Sequence, residues 1–278
     1  MIAILSSPDS FHNKNEIEKI RNIIKEEGSG IIHYEVKNFK DIGEALSRFQ
    51  QCSVTAIAIV GGQALSSATF EYMIDKKPFG DTQIPLAVIS GDDERFISQS
   101  FGAVSAHAHQ DLKHILRKHK TGRLLDHLVK APLIKVEGVM HIGKLYGLYF
   151  CTGEIISRKS LFKRTLYRTG IRQLIQNYST ILSLLYKAYI GSKKSDDIND
   201  MIRINRNQRG AVVGRYYMVL LSSLDWIFLG TKFPDKHKAD TLNFLSVENT
   251  KEAILHSGKR MLKGNYSEGM LPGHIITE

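Results

Sequence analysis

Val54-Thr55-Ala56-Ile57-Ala58-Ile59-Val60, closed by Gly61 and Gly62, is the stretch on which the reading of the fold turns. Apart from Thr55 it is apolar throughout, and a strand apolar on both faces belongs in the middle of a parallel sheet. Parallel strands need crossover connections, most often helices, so the flanking sequence must supply them. It does so on both sides. Ile2 to Leu5 reads as a first short buried strand. Asn13 with Glu16 makes a capping-box-like helix start, Ile17, Ile20, Ile23 and Ile24 form one helical face, and Gly28 falls where that helix would stop. Ile31 to Val36 is a second strand, and Ile42, Ala45, Leu46 and Phe49 mark a second helix. Beyond the glycines, Phe70 and Met73 suggest another helix. Ile84 to Ile89 is a further strand, and a helix from Asp92 to Ser100 follows Gly91.

From about Leu124 the periodicity changes. Pro132 to Glu137, Lys144 to Ile156, Ala211 to Leu221 and Thr241 to Val247 read as strands, and Ser157 to Gly191 reads as a cationic helical stretch. The polar segment Lys193 to Gln208 reads as a mobile loop. The expected fold class is therefore α/β: a parallel α/β nucleotide-binding-type domain over residues 1–124, then a β-sandwich-like domain with a helical insertion over 125–278.

Composition narrows the function classes. A chain of 278 residues, 42% hydrophobic, is long enough for a substantial core and does not need the staples of a small scaffold. Its two cysteines, Cys52 and Cys151, form neither a disulfide framework nor a C-x-x-C pair, which fits a reducing, cytoplasmic setting. Met1 to Ser6 has no basic region before its apolar run, so it reads as a strand and not as a signal peptide. The most apolar late stretch, Ala211 to Gly230, is broken by Arg215 and Asp225 and does not read as a membrane helix.

Charge is unevenly placed. The formal net charge is +10, which favours anionic partners such as nucleotide phosphates, nucleic acid or an acidic membrane surface. Between Glu154 and Asp196 no carboxylate occurs, while Arg158, Lys159, Lys163, Arg164, Arg168 and Arg172 cluster there with interleaved Leu161, Phe162, Leu166 and Ile171. Such a stretch suits a surface lying on anionic lipid, peripheral to the inner face of a membrane, and equally suits a solvated helix face. Nucleic acid is the less favoured partner. Oligomeric state is not legible.

Two turns have the form of phosphate sites, with glycine at the end of a buried strand and a helix start immediately after it. They are Val60-Gly61-Gly62-Gln63-Ala64-Leu65 and Ile89-Ser90-Gly91-Asp92-Asp93-Glu94. The structural alternative is that glycine simply ends a strand, and that Asp92 and Asp93 complement a helix dipole. His107 and His109, two apart, read as a solvated turn, with metal ligation the minor alternative; no metal ligand is assigned.

The order of these segments resembles the diacylglycerol kinase and sphingosine kinase superfamily of lipid kinases, which shares its nucleotide domain with the NAD kinases. That family's opening N-P-x-S-G turn is matched by Ser7-Pro8-Asp9-Ser10-Phe11, and its G-G-D-G-T signature falls on Gly61-Gly62-Gln63-Ala64-Leu65. Its later glycine-rich turn falls on Val88 to Arg95. A G-M-F-F-G-A-G segment of one bacterial branch is similar to Gly147-Leu148-Tyr149-Phe150-Cys151-Thr152-Gly153. The resemblance implies ATP-dependent phosphorylation of a lipid hydroxyl such as diacylglycerol, with ATP and magnesium as cofactors and a site in the cleft between two domains. It places nucleotide contacts on Ser7, Gly61, Gly62, Gln63, Ala64, Gly91, Asp92 and Asp93.

The departures are chemical. The signature's Asp and Thr serve phosphates and magnesium in the family; Gln63 and Leu65 stand at those positions. A neutral amide is a poor ligand for a hard cation, and leucine offers no hydroxyl. The family's general base near the C-terminus has no clear counterpart, so no catalytic residue is assigned. Phosphoryl transfer depends on positioning and on cations that neutralise developing charge, so these losses argue against efficient catalysis. Three functions stay open: a lipid kinase, a pseudokinase that binds lipid or nucleotide without turnover, and a cationic adaptor at a membrane surface or on nucleic acid.

Overall fold

The computed structural model describes residues 1–11, 14–91, 95–105, 107–139, 143–153, 201–206, 210–224, 226–227, 231–232, 242–263 and 275–277. The chain divides into two compact units, Met1–Gly147 and Leu148–Glu278.

The first unit is built on β1 (Ile2–Ser6), β2 (Ile31–Glu35), β3 (Ala56–Gly61) and β4 (Leu86–Ser90). They form one parallel sheet in the order β2-β1-β3-β4, with Ile2 opposite both Ile31 and Ala56 and Ile57 opposite Leu86. Every residue of β1 and β3 is buried, as the unbroken apolar run requires of central strands. Helices α1 (Lys14–Glu27), α2 (Ile42–Gln51), α3 (Gln63–Lys76), α4 (Arg95–Ser100) and α5 (Ala108–Lys120) supply the crossovers and the covering layers.

Strand alternation sends the two sets of side chains to opposite faces. Ile2, Ile4, Ala56, Ala58, Val60 and Ile89 make one core with Ile17 and Ile20 of α1 and Ala108, Leu112 and Leu116 of α5. Ala3, Leu5, Ile57 and Ile59 are equally buried on the alternate positions. The buried faces of α2 (Ile42, Ala45, Leu46, Phe49) and α3 (Leu65, Thr69, Phe70) belong to two helices that contact each other, with α3 also packed on β3. Right-handed crossovers in this strand order put α1 on one side and α2 and α3 on the other.

The antiparallel hairpin β5 (Ile134–Val139) and β6 (Gly143–Gly147) packs on α3. Lys144 bridges to Asp75 at 2.5 Å, and the Tyr146 hydroxyl donates to the same carboxylate at 3.3 Å. This hairpin therefore belongs to the first unit, C-terminal to the boundary expected at residue 124. The ammonium of Lys144 holds the Asp75 carboxyl below its ordinary range.

The second unit is antiparallel. Its spine is β9 (Gly210–Ser222), which pairs with β7 (Tyr149–Thr152), β8 (Met201–Arg206) and β12 (Asn243–Glu248); β13 (Ile275–Thr277) adds to β12. A short pair, β10 (Trp226–Ile227) with β11 (Thr231–Lys232), and helix α6 (Lys251–Lys263) complete the described elements. Gly153 follows β7 with φ +112°, and a Cβ there would lie 2.6 Å from the Tyr217 carbonyl oxygen on β9. Only glycine meets both conditions without strain.

Two expectations change. Met201–Arg206, assigned to a mobile loop on polarity, is a strand. Met201, Arg203 and Asn205 are exposed while Ile202 and Ile204 are partly covered, so a period of two lies beneath the polar composition. The expected single strand Lys144 to Ile156 is two, β6 and β7, which pair with different sheets. The cationic stretch from Ser157 to Gly191 lies outside the described residues.

Candidate functional site

The strand order reverses between β1 and β3, and in open α/β sheets ligands bind beyond the carboxyl ends of strands at such a point. Three segments meet there. After β1, Ser7 leads into a 3-10 turn, Pro8–Ser10; after β3 come Gly61 and Gly62; after β4 comes Gly91. Their backbones are tied directly. Ser7 N–H donates to the Val60 carbonyl at 3.1 Å, and Gly91 N–H donates to the Gly61 carbonyl at 3.3 Å. The Ser7 carbonyl accepts from Ser10 N–H at 3.2 Å, closing the turn.

Close approach explains two of the three glycines. A Cβ on Gly91 would lie 2.5 Å from the Ser10 carbonyl oxygen, and one on Gly61 would meet the Leu65 side chain at 2.8 Å and Ser10 Oγ at 3.2 Å. The glycines thus let the Pro8–Ser10 turn pack against the ends of β3 and β4. Gly62 is the N-cap of α3, with ordinary extended backbone. Helix α3 is 14 residues long with no acidic residue in its first turn, so it brings no carboxylate of its own to the positive end of its dipole.

The side chains of the signature turn sort by burial. Leu65 is 1% exposed and belongs to the core, Gln63 is half-buried and Ala64 is exposed. The structure therefore gathers Ser7, Gly61, Gly62, Gln63, Ala64 and Gly91 at one end of the sheet. Asp92 and Asp93, and Arg158, Lys159, Lys163, Arg164, Arg168 and Arg172, lie outside the described residues. Magnesium does not fit the described part of this turn. The position that would supply a carboxylate carries an amide, and the position that would supply a hydroxyl is an aliphatic side chain directed into the core.

A second cluster went unread in the sequence. Glu16, in the first turn of α1, is 4% exposed, and His109, in the first turn of α5, comes to it from 93 residues away. Glu16 Oε1 accepts from the His109 backbone N–H at 2.9 Å and lies 2.7 Å from its Nδ1. His107 Nδ1 stands 4.0 Å from Glu16 Oε2, and the two imidazoles stack with centroids 5.4 Å apart. Burial alone would raise the Glu16 carboxyl; the hydrogen bonds and charge of His109, with a smaller contribution from His107, outweigh it and hold the group below its ordinary range. The solvated turn expected for this histidine pair is instead the N-cap and first turn of a helix packed on α1. Neither histidine spacing nor local pattern points to Glu16, because the pairing is purely tertiary.

No family model matches the sequence, and no curated protein matches it. Solved structures do. Two structures of a protein provisionally described as a diacylglycerol kinase, from Bacillus anthracis strain Sterne, align over 99% of this chain and 83% of their own, at 12% identity and a TM-score of 0.61. A third, described as a diacylglycerol kinase from the same strain, aligns over 100% of this chain and 82% of its own, at 14% identity and a TM-score of 0.53. The chain has a diacylglycerol kinase-like lipid kinase fold, as the colinear motifs implied. At this identity the likeness concerns the fold alone. Among the described residues, no helix is long and apolar enough to cross a membrane.

Proposed function

We propose that this protein is a pseudokinase of the lipid-kinase fold: a binding module that takes a phosphate-bearing ligand, nucleotide or lipid, at the carboxyl end of its parallel sheet without transferring phosphate. One observation carries this reading. The turn that starts α3 keeps Gly61, Gly62 and a first helical turn without an acidic residue, yet presents Gln63 and a core-directed Leu65 where phosphoryl transfer would need a carboxylate and a hydroxyl. Backbone N–H groups at a helix start can bind an anion without a metal. They do not by themselves neutralise the charge that develops in phosphoryl transfer, and loss of one such group costs on the order of a hundred- to thousand-fold in rate.

The test pairs binding with turnover. ATP at about 100 times its dissociation constant adds about 2.7 kcal/mol of stability if it binds only the folded protein, and the pseudokinase reading expects a rise in melting temperature independent of magnesium. Labelled ATP with mixed vesicles containing diacylglycerol should give no phosphorylated lipid. Magnesium-dependent product above a Gly62→Trp control would overturn the reading in favour of an active lipid kinase, which the likeness over 99% of the chain keeps as the second reading. The carboxylate-free run between Glu154 and Asp196 supports docking on an anionic membrane surface as part of the same role. Binding to vesicles rich in phosphatidylserine should then weaken steeply with salt, and salt-insensitive binding would remove that part.

A further inference from the structure

Glu16 faces two histidines, each on a different carboxylate oxygen. The His109 backbone N–H and ring already engage Oε1, which accounts for the buried carboxylate as a tertiary cap on the first turn of α5. His107 is surplus to that role. Its side chain is 56% exposed, yet it turns back along the helix to stack on His109 with Nδ1 facing Oε2. Residues two apart in a regular helix point about 200° away from each other, so this pairing depends on His107 being the N-cap, with extended backbone at φ −124° and ψ 132°. The result is one carboxylate and two imidazoles whose ligand atoms all lie within 4.8 Å of one another.

We propose that Glu16, His107 and His109 form a binding site for a divalent transition-metal ion of the zinc class, held by one carboxylate oxygen and two imidazole nitrogens. The donor set fits that class: imidazole with carboxylate suits zinc and its neighbours, whereas magnesium and calcium prefer all-oxygen shells. Dimensions fit as well. Ligand bonds of about 2.0–2.1 Å in a tetrahedral site put ligand atoms roughly 3.3–3.4 Å apart. The present separations, 2.7 Å from His109 Nδ1 to Oε1 and 4.0 Å from His107 Nδ1 to Oε2, lie on either side of that value, and side-chain torsions must bring a single ligating oxygen to both rings.

The surroundings support the ligands. When His109 exchanges its ring contact with Glu16 for the ion, its backbone N–H at 2.9 Å still holds the carboxylate in place, the outer support that metal-ligating carboxylates usually have. Three protein ligands leave a fourth position, on the exposed side at His107, for water or an anionic ligand. The ion would join α1 to α5 across a separation of 93 residues. Because α1 begins just after β1 and the Pro8–Ser10 turn, the site lies at the carboxyl edge of the parallel sheet. This inference stands apart from the pseudokinase reading and fails or holds without it.

The experiment uses the full chain, stripped with a chelator and titrated with cobalt(II), whose visible absorption reports a low-symmetry, four-coordinate site. One equivalent of cobalt should give visible bands that zinc then abolishes, and zinc should raise the melting temperature while magnesium at equal concentration should not. His107→Ala removes an exposed side chain that makes no cap hydrogen bond, so the protein should fold with unchanged metal-free melting temperature and bind cobalt at least tenfold more weakly. The chain has 11 histidines, so His114→Ala, an exposed position on α5, serves as the control and should bind as the parent does. Absence of cobalt bands, or a His107→Ala protein that binds cobalt as tightly as the parent, would overturn the proposal.

Discussion

Gly91→Ala tests whether the end of the parallel sheet is the rigid frame described above. The added Cβ would stand 2.5 Å from the Ser10 carbonyl oxygen, whereas even a close C···O contact is about 3.3 Å, so the two backbones must part by about 0.8 Å. Neither side is free to give. Ser10 sits in a turn closed by its N–H on the Ser7 carbonyl and by Phe11 N–H on the Pro8 carbonyl, both at 3.2 Å, and Phe11 is buried in the core. On the other side, Gly91 N–H is bonded to Gly61. Overpacking of this kind costs about 1–3 kcal/mol, and losing the Gly91 hydrogen bond adds about 0.5–1.5 kcal/mol, for a total of about 1.5–4.5 kcal/mol. The expected fall in melting temperature is roughly 5–15 °C, read by far-ultraviolet circular dichroism. Ala64→Ser, an exposed position in the same site, should change stability by no more than about 0.5 kcal/mol. A Gly91→Ala protein melting within about 1 °C of the parent would refute the argument, because the Ser10 turn would then have moved aside at no cost.

Two further perturbations probe the rest of the fold. Gly153→Ala combines a left-handed backbone at φ +112° with a Cβ 2.6 Å from the Tyr217 carbonyl, and should cost about 2 kcal/mol or more; a urea midpoint equal to the parent's would contradict the β7–β9 packing. His33 is held below the ordinary histidine range mainly by burial, partly offset by the charge of Glu35, and its Nε2 lies 2.7 Å from Ser6 Oγ. The unfolded chain therefore takes up this proton first, so the associated stability is complete above about pH 6.5 and is lost as the pH falls below it. His33→Gln should flatten the decline in melting temperature between about pH 7 and pH 5, leaving the smaller slope that His119, shifted the same way, contributes; an unchanged slope would assign the effect elsewhere.

Legibility followed the physics of each element. The central strands announced themselves because both faces of β1 and β3 are buried, and such strands leave an unbroken apolar run. Helix α2 was legible because Ile42, Ala45, Leu46 and Phe49 all face one core. Strand β8 was missed because its covered residues, Ile202 and Ile204, alternate with Met201, Arg203 and Asn205, and net polarity hid the period. The hairpin at residues 134–147 lies in stretches that read as strands, but its turn and its attachment to α3 were not legible, because that attachment joins Asp75 to Lys144 and Tyr146 far along the chain. In the site, the glycines were legible as a pattern while their cause was not. That cause is tertiary: Ser10 presses on Gly91 and Gly61 from a different segment of the chain.

That cause separates what the turn after β3 does for the fold from what it could do for chemistry. Ending a central strand and starting α3 requires little bulk at Gly61 and an apolar anchor at Leu65; it requires neither a carboxylate nor a hydroxyl. A fold-level likeness at 12% identity therefore speaks to the first set of demands and is silent on the second. Gln63→Asp separates them experimentally. Position 63 is the first residue of a 14-residue helix whose first turn carries no acid, so a carboxylate there should stabilise the protein by about 0.3–1 kcal/mol through the helix dipole, without any ligand. If the missing carboxylate is also what keeps magnesium out, the same variant should show an ATP-dependent rise in melting temperature that now requires magnesium. A Gln63→Asp protein no more stable than Gln63→Asn, which removes the same glutamine side chain without adding charge, would refute a helix start at position 63 that favours an anion. Stabilisation without any magnesium dependence would mean that restoring one oxygen ligand is not enough while Leu65 stays in the core.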